Sequence, residues 1–261
     1  MKQFLALLFL VAYTTTTSLA YAGEKNISSD VSPPEKVEKT CAADFPRHLG
    51  HDLKETFWNR WHLLTIGLGI GALAGLHEAD PSVQRSFQPG RPLGKKFDDV
   101  MKWGANPFVL AGGSLVSLAI TELLMDAPKA ARTSGAIFEA LMLTESITFA
   151  LQLATHRGRP DGSNNKSFPS GHTSGAFAIA AVTEGLYGPW FGVPAFALAG
   201  LVGASRIDSN KHVLTDVVAG ALLGTLVGLG TAQFHKQEYP KYFLAPTFGD
   251  RTAGLSLVHS F

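Results

Sequence analysis

A single cysteine, Cys41, rules out a disulfide within the chain. The preceding EKT lacks the small and aliphatic residues of a lipid-attachment site. Charge is scarce, with 16% of residues acidic or basic against about 25% in soluble domains. Formal net charge is +1, with no basic run or tail, which excludes a nucleic-acid partner. Alternating strand periodicity is missing until the last twenty residues, so the body of the chain is expected to be all-α. His48, His51 and Asp52 have no further ligand cluster around them and read as a surface turn; no metal or other cofactor is expected.

What is abundant is apolar. Hydrophobic residues make up 46% of the chain and glycines number 27, while mean hydropathy is only +0.13. Residues 1–22 read as a signal peptide: Lys2, an apolar run over Phe4–Tyr13, and small Ala20 and Ala22 before the cut. That predicts export to a bacterial-type envelope. Residues 23–47, with SPPEKVEK, form a polar linker. HDLKETFWNRWH, with Phe57, Trp58 and Trp61 beside charges, predicts an interfacial helix.

A helical domain is expected over 48–236, its motif core over 135–234. Six helices are predicted at Leu63–Leu76, Pro107–Met125, Gly135–Thr155, Gly175–Tyr187, Pro189–Gly203 and Val213–Phe234, separated by loops such as QPGRPLGKKFDD and DAPKAARTSG. The tail, 237–261, reads as a short C-terminal β-hairpin turning at Gly249-Asp250. Leu63–Leu76 is shorter than the roughly 20 residues of a span, and Glu122, Glu139, Glu145 and Glu184 interrupt other runs. Val217–Thr231, by contrast, carries no charge, and its Gly and Ala suit close packing in lipid. A membrane-embedded bundle is therefore expected, with a periplasmic or surface-bound bundle as the alternative.

Three polar clusters stand at helix ends: THRGRP (155–160), FPSGHTSG (168–175) and SRIDSNKHVLTD (205–216). The end of the third predicted helix and the starts of the fourth and sixth share one side of an antiparallel bundle, so the clusters can meet. Arg157, Arg159 and Arg206 are planar, permanently charged donors for phosphate oxygens. Ser170 adds a hydroxyl, and Gly171 opens a helix whose N–H groups and dipole favour an anion. His212 and Asp216, four apart, share a helix face, so the carboxylate can orient the imidazole. These residues point to metal-independent phosphoryl transfer. His212 is the expected nucleophile, His172 the proton donor and then the base that activates water.

The same residues resemble the type 2 phosphatidic acid phosphatase superfamily, which also holds bacterial class A acid phosphatases and vanadium haloperoxidases. Its pattern is Lys, six residues, Arg-Pro; Pro-Ser-Gly-His; then Ser-Arg, five residues, His, three residues, Asp. Arg159-Pro160, Pro169-Ser170-Gly171-His172 and Ser205-Arg206…His212…Asp216 match it. The resemblance implies a six-helix core without a metal cofactor. It also implies dephosphorylation of a phospholipid or isoprenoid phosphate, such as phosphatidic acid, undecaprenyl diphosphate or a lipid A phosphate. The lysine position holds Gln152, which donates a hydrogen bond but no charge; Arg157 or Lys166 is expected to substitute. A soluble periplasmic acid phosphatase, a vanadate-dependent haloperoxidase and a catalytically weak lipid-binding envelope protein are the competing readings. With six spans the site would face the cytoplasm, and the five Lys/Arg of Arg85–Lys102 favour the same N-out arrangement.

Overall fold

The computed structural model describes residues 60–260 except 89, 124–127, 238–240, 250 and 251. The signal segment, the linker with Cys41, the His48/His51/Asp52 turn and most of the interfacial helix lie outside the described residues. Eight helices are described: α1 Arg60–His77, α2 Asp80–Phe87, α3 Lys95–Gly104, α4 Pro107–Leu123, α5 Pro128–Thr155, α6 Gly171–Tyr187, α7 Pro189–Asp208 and α8 Leu214–Gln237. The body is all-helical. Six of these helices overlap the six expected runs; α2 and α3 occupy stretches read as connection.

The boundaries differ for local reasons. α5 starts seven residues before the expected Gly135, because Pro128 suits the first helical turn and Lys129, Ala130, Ala131 and Arg132 are good helix formers. α6 starts at Gly171, four residues early, and α7 continues past Gly203 to Asp208. Both extensions put motif residues on helix ends: His172 in the first turn of α6, Arg206 in the last turn of α7.

α6 is the central helix, packed on α5, α7 and most extensively on α8. The cause is a glycine row. Gly220, Gly224 and Gly228 recur every four residues and so share one face of α8. A Cβ at Gly220 would stand 2.7 Å from the Ser170 carbonyl oxygen, and Cβ atoms at Gly224 and Gly228 would collide with the carbonyls of Ser174 and Ala178. Only glycine lets the two backbones come this close. Gly203 of α7 makes room for a side chain of α8: a Cβ there would lie 2.7 Å from Val217 Cγ1.

Phe177 and Phe196, with ring centroids 5.8 Å apart, anchor α6 on α7. A second apolar cluster of Phe87, Ala204, Ile207, Leu214, Val217 and Val218 docks α2 against α7 and α8. The α2–α3 connection is pinned by the Gln88 amide on the Ile207 carbonyl (3.2 Å) and by the Leu93 N–H on Asp208 (3.2 Å). α3, with no buried residue of its own, is thereby held over the end of the bundle.

Large apolar side chains also cover the outside: Phe108 is 84% exposed, Trp103 and Trp190 68%, Phe191 63%. Among the described residues three helical stretches are long and apolar enough to cross a membrane: Ala130–Thr155, Pro189–Asp208 and Leu214–His235. A fourth arises if Lys95–Gly104 and Pro107–Ile120, bent by 45°, act as one span. The exposed apolar surface and these stretches associate the protein with a membrane. In the tail, the backbone of β1 Lys241–Gly249 pairs antiparallel with β2 Thr252–Ser260, from Lys241↔Ser260 to Gly249↔Thr252.

Candidate active site

The site forms where α5 and α7 end and α6 and α8 begin. His212 lies in the α7–α8 turn and is 2% exposed. Asn210 makes that turn with φ 58°, a conformation asparagine tolerates better than most residues. The N–H groups of Lys211 and His212 then return to the Arg206 carbonyl, at 3.0 and 3.2 Å. His212 Nδ1 meets the Ser167 carbonyl oxygen at 2.8 Å. A carbonyl only accepts, so Nδ1 carries the proton and Nε2 keeps its lone pair. Burial pushes the His212 pKa down, against the opposing pull of the Asp216 carboxylate.

Asp216 is fully buried. The expected direct Asp216–His212 hydrogen bond is replaced by a 3.7 Å approach, because Ser167 takes the Nδ1 proton. The Ser167 hydroxyl in turn donates to Asp216 Oδ2 at 2.5 Å. The same oxygen accepts the Val213 N–H at 3.1 Å, so Asp216 reaches back to cap its own helix. Asp216 therefore orients His212 through Ser167 and through charge.

Ser170, Gly171 and His172 open α6. Ser170 is fully buried, its hydroxyl on Thr173 Oγ1 (2.9 Å) and its N–H on the Asp216 carbonyl (3.0 Å). No side chain caps the helix, so its first turn presents backbone donors of the kind that bind anions. Gly171 and Gly175 leave room for Glu145 of α5, whose carboxylate oxygens would lie 3.2–3.3 Å from a Cβ at either position. His172 Nε2 meets the Lys102 carbonyl of α3 at 3.2 Å. Burial and the positive charge of Arg206 push the His172 pKa down to about 4; His212 and Arg159 press on it in the same sense. That mutual influence puts both imidazoles and two guanidiniums in one electrostatic neighbourhood.

The expected anion ligands divide into two groups. Arg159 Nε is buried with no acceptor among the described residues, leaving a donor for an anion. Arg206, 4% exposed, donates through Nε to Ser205 Oγ (3.1 Å) and through Nη2 to Asp98 Oδ1 of α3 (2.5 Å). Among the described residues no acceptor takes Nη1. Arg157 instead serves the protein. Its Nη1 donates to Thr215 Oγ1 and Asp216 Oδ1, both at 2.9 Å, and its Nη2 to Asp80 Oδ2 at 3.2 Å. Gln152 donates to the Pro169 carbonyl (3.0 Å), steadying the turn into α6. Lys166, exposed, sits over the Phe149 ring at 4.9 Å. Neither Arg157 nor Lys166 thus fills the role of the family's lysine in this arrangement: one is held by carboxylates, the other faces outward.

Sequence reasoning missed Ser167, Thr215, Asp80, Asp98 and the Lys102 carbonyl. Ser167 sits three residues before Ser170 and was within reach of the motif reading. Nothing in spacing marks Asp80 or Asp98, which arrive through tertiary packing.

Two histidines with fixed tautomers, two arginines with donors to spare and an uncapped helix start converge at one end of the helical bundle. Residues 130–240 match the model of the PAP2 superfamily. The chain is 47% identical over 75 residues to lipid A 1-phosphatase of Porphyromonas gingivalis, covering 28% of this chain and 17% of that protein. It is 34% identical over 148 residues to lipid phosphate phosphatase 1 of Arabidopsis thaliana, covering 41% and 44%. It is 27% identical over 125 residues to lipid A 4'-phosphatase of Helicobacter pylori, covering 43% and 61%. The matches thus span between about a sixth and three fifths of these relatives' lengths. No solved structure matches the chain significantly.

Proposed function

We propose that this protein is a metal-independent phosphatase acting on a lipid phosphate or diphosphate through a phosphohistidine. One observation carries the reading: the free Nε2 of His212, with Nδ1 on the Ser167 carbonyl, lies within electrostatic reach of Arg159, whose buried Nε has no acceptor among the described residues. A nucleophile and a charge clamp thus address one anion. The names of the relatives, all lipid A or lipid phosphate phosphatases, support a lipid substrate.

In this mechanism Arg159, Arg206, Ser170 and the N–H groups at Gly171 hold the phosphoryl oxygens. His212 Nε2 attacks phosphorus. The N–P bond forms as the bond to the lipid oxygen breaks, and Asp216 favours the charge growing on the ring. His172, neutral in the free site, gains its proton when the phosphate's negative charge offsets Arg206 and Arg159. It donates that proton to the leaving oxygen. His172 then takes a proton from water as that water attacks phosphorus and releases His212. The working architecture we infer is six long helices, with α2 and α3 capping the site and a hairpin tail, embedded in a bacterial envelope after export.

The test is phosphate release by purified protein across lipid diphosphates, phosphatidic acid, lipid A phosphates and soluble monoesters. His212→Ala is expected to lower turnover by at least 1,000-fold, an order of magnitude typical of a lost covalent nucleophile; a variant with full activity overturns the mechanism. Gln152 favours a second reading, a catalytically weak lipid-binding protein, because its amide is committed to the Pro169 carbonyl where the family pattern has a cation.

A further inference from the structure

We infer that Asp80, on α2 and outside the matched segment, is a positioning residue for the nucleophile, a role that rests on the phosphatase reading above. Asp80 is 5% exposed and accepts four hydrogen bonds. Oδ1 takes the Thr215 N–H at 2.8 Å. Oδ2 takes the Thr215 hydroxyl at 2.7 Å, Arg157 Nη2 at 3.2 Å and His77 Nδ1 at 3.1 Å. Attaching α2 to the bundle does not require this, because Phe87 and Val83 already dock it on α7 and α8. A carboxylate is costly to bury unless its lone pairs are satisfied. Here every donor it gathers, His77 aside, belongs to the frame around Asp216.

The guanidinium of Arg157 lies between two carboxylates, with Asp216 on Nη1 and Asp80 on Nη2. Asp80 fixes Arg157 from one side and the first turn of α8, through Thr215, from the other. Asp216 Oδ1 is then held by Arg157 and Oδ2 by Ser167 and Val213, so its carboxylate cannot rotate. Ser167, locked by its hydroxyl, offers its carbonyl to His212 Nδ1. The chain of contacts Asp80, Arg157, Asp216, Ser167, His212 sets the direction of the Nε2 lone pair. Charge acts in the same sense. Two carboxylates share one guanidinium, leaving net negative charge beside the imidazole as it becomes cationic on phosphorylation. Without Asp80, Arg157 would neutralise Asp216 alone.

The experiment measures kcat and KM for phosphate release by wild type, Asp80→Asn, Thr215→Val, Arg157→Gln and the Asp80→Asn/Arg157→Gln double variant, with His212→Ala alongside. Thr215→Val keeps the N–H to Asp80 but removes the hydroxyl that joins Asp80 to Arg157, and it serves if Asp80→Asn does not fold. Asp80→Asn is expected to lower kcat at least tenfold with KM changed less than about threefold. Thr215→Val is expected to lower kcat severalfold. The double variant is expected to fall no further than Arg157→Gln. Unchanged kcat in folded Asp80→Asn, or in Thr215→Val where that is the variant that folds, overturns the inference, as does full additivity with Arg157→Gln. Wild type without phosphatase activity, or His212→Ala with full activity, instead overturns the underlying reading.

Discussion

At the residue scale, the site is a contest between burial and charge. Burial lowers His212, and burial with Arg206 lowers His172 to about 4. A nucleophilic imidazole must be neutral, and an unperturbed one is half protonated near pH 6.5. With His212 depressed, the neutral form persists below that value. The acidic limb of kcat/KM is therefore expected below pH 6.5, and a limb at or above 6.5 would contradict the burial argument. Gln152 makes the second prediction. Its amide steadies the Pro169 carbonyl but supplies no charge. Gln152→Lys brings a cation to the turn before α6, and a tenfold or larger gain in turnover is expected if the site lacks a third charge. No gain would show that Arg159 and Arg206 suffice. The motif residues were legible because spacing puts each at a helix end. Ser167 was not, because it acts on His212 through a backbone carbonyl, which no side-chain pattern encodes. Arg157 was legible as a cation but not as an internal one, since its acceptors are Thr215, a carboxylate from the motif and another from far upstream.

At the element scale, α8 sets the geometry by its glycine row. The sequence shows the Gly spacing plainly, and the contact with α6 backbone follows from it. Gly224→Ala would drive a methyl into the Ser174 carbonyl and within 2.9 Å of the Ala178 nitrogen. Both are backbone atoms that cannot swing aside. The expected cost is about 1–3 kcal/mol, read as a lowered unfolding midpoint. Because Ser174 lies one turn beyond Ser170, turnover should fall as well when α6 and its anion-binding start are displaced. An unchanged midpoint would mean that α6 and α8 part freely, against the packing described. The short α2 and α3 were illegible for the opposite reason. Their lengths, 8 and 10 residues, leave little room for an apolar period, and Gly and Pro beside them read as connection. They are ordered by what they touch: α2 by an apolar cluster and the Asp80 contacts, α3 by Asp98 on Arg206 and the Lys102 carbonyl on His172.

At the scale of the whole molecule, the direction of the helices decides where the chemistry sits. α5 and α7 run toward the site and α6 and α8 away from it, so four chain segments deliver their polar ends to one end of an otherwise apolar bundle. Leu214–His235 is mostly buried inside the bundle, whereas Ala130–Thr155 shows more of its surface outside, including Met142, Phe149, Leu151 and Leu153. A surface of this kind favours lipid around the outer helices and polar headgroups at the site end, where a phosphate on a lipid would lie. The sequence predicts six helices and leaves the number of spans open; among the described residues length and composition qualify three, or four with the bent pair. Three are already enough to resist extraction by alkaline carbonate. The protein is expected in the membrane pellet after that wash and in solution only with detergent; release by carbonate alone would favour the soluble-phosphatase alternative. In the proposed mechanism, charge for the transition state comes from Arg159 and Arg206, permanently cationic side chains that bring their own positive field to the phosphoryl group. Phosphate release by the detergent-solubilised protein should therefore survive a chelator such as EDTA within about twofold. A collapse of activity that added divalent metal restores would mean that the two arginines do not carry the phosphoryl charge by themselves.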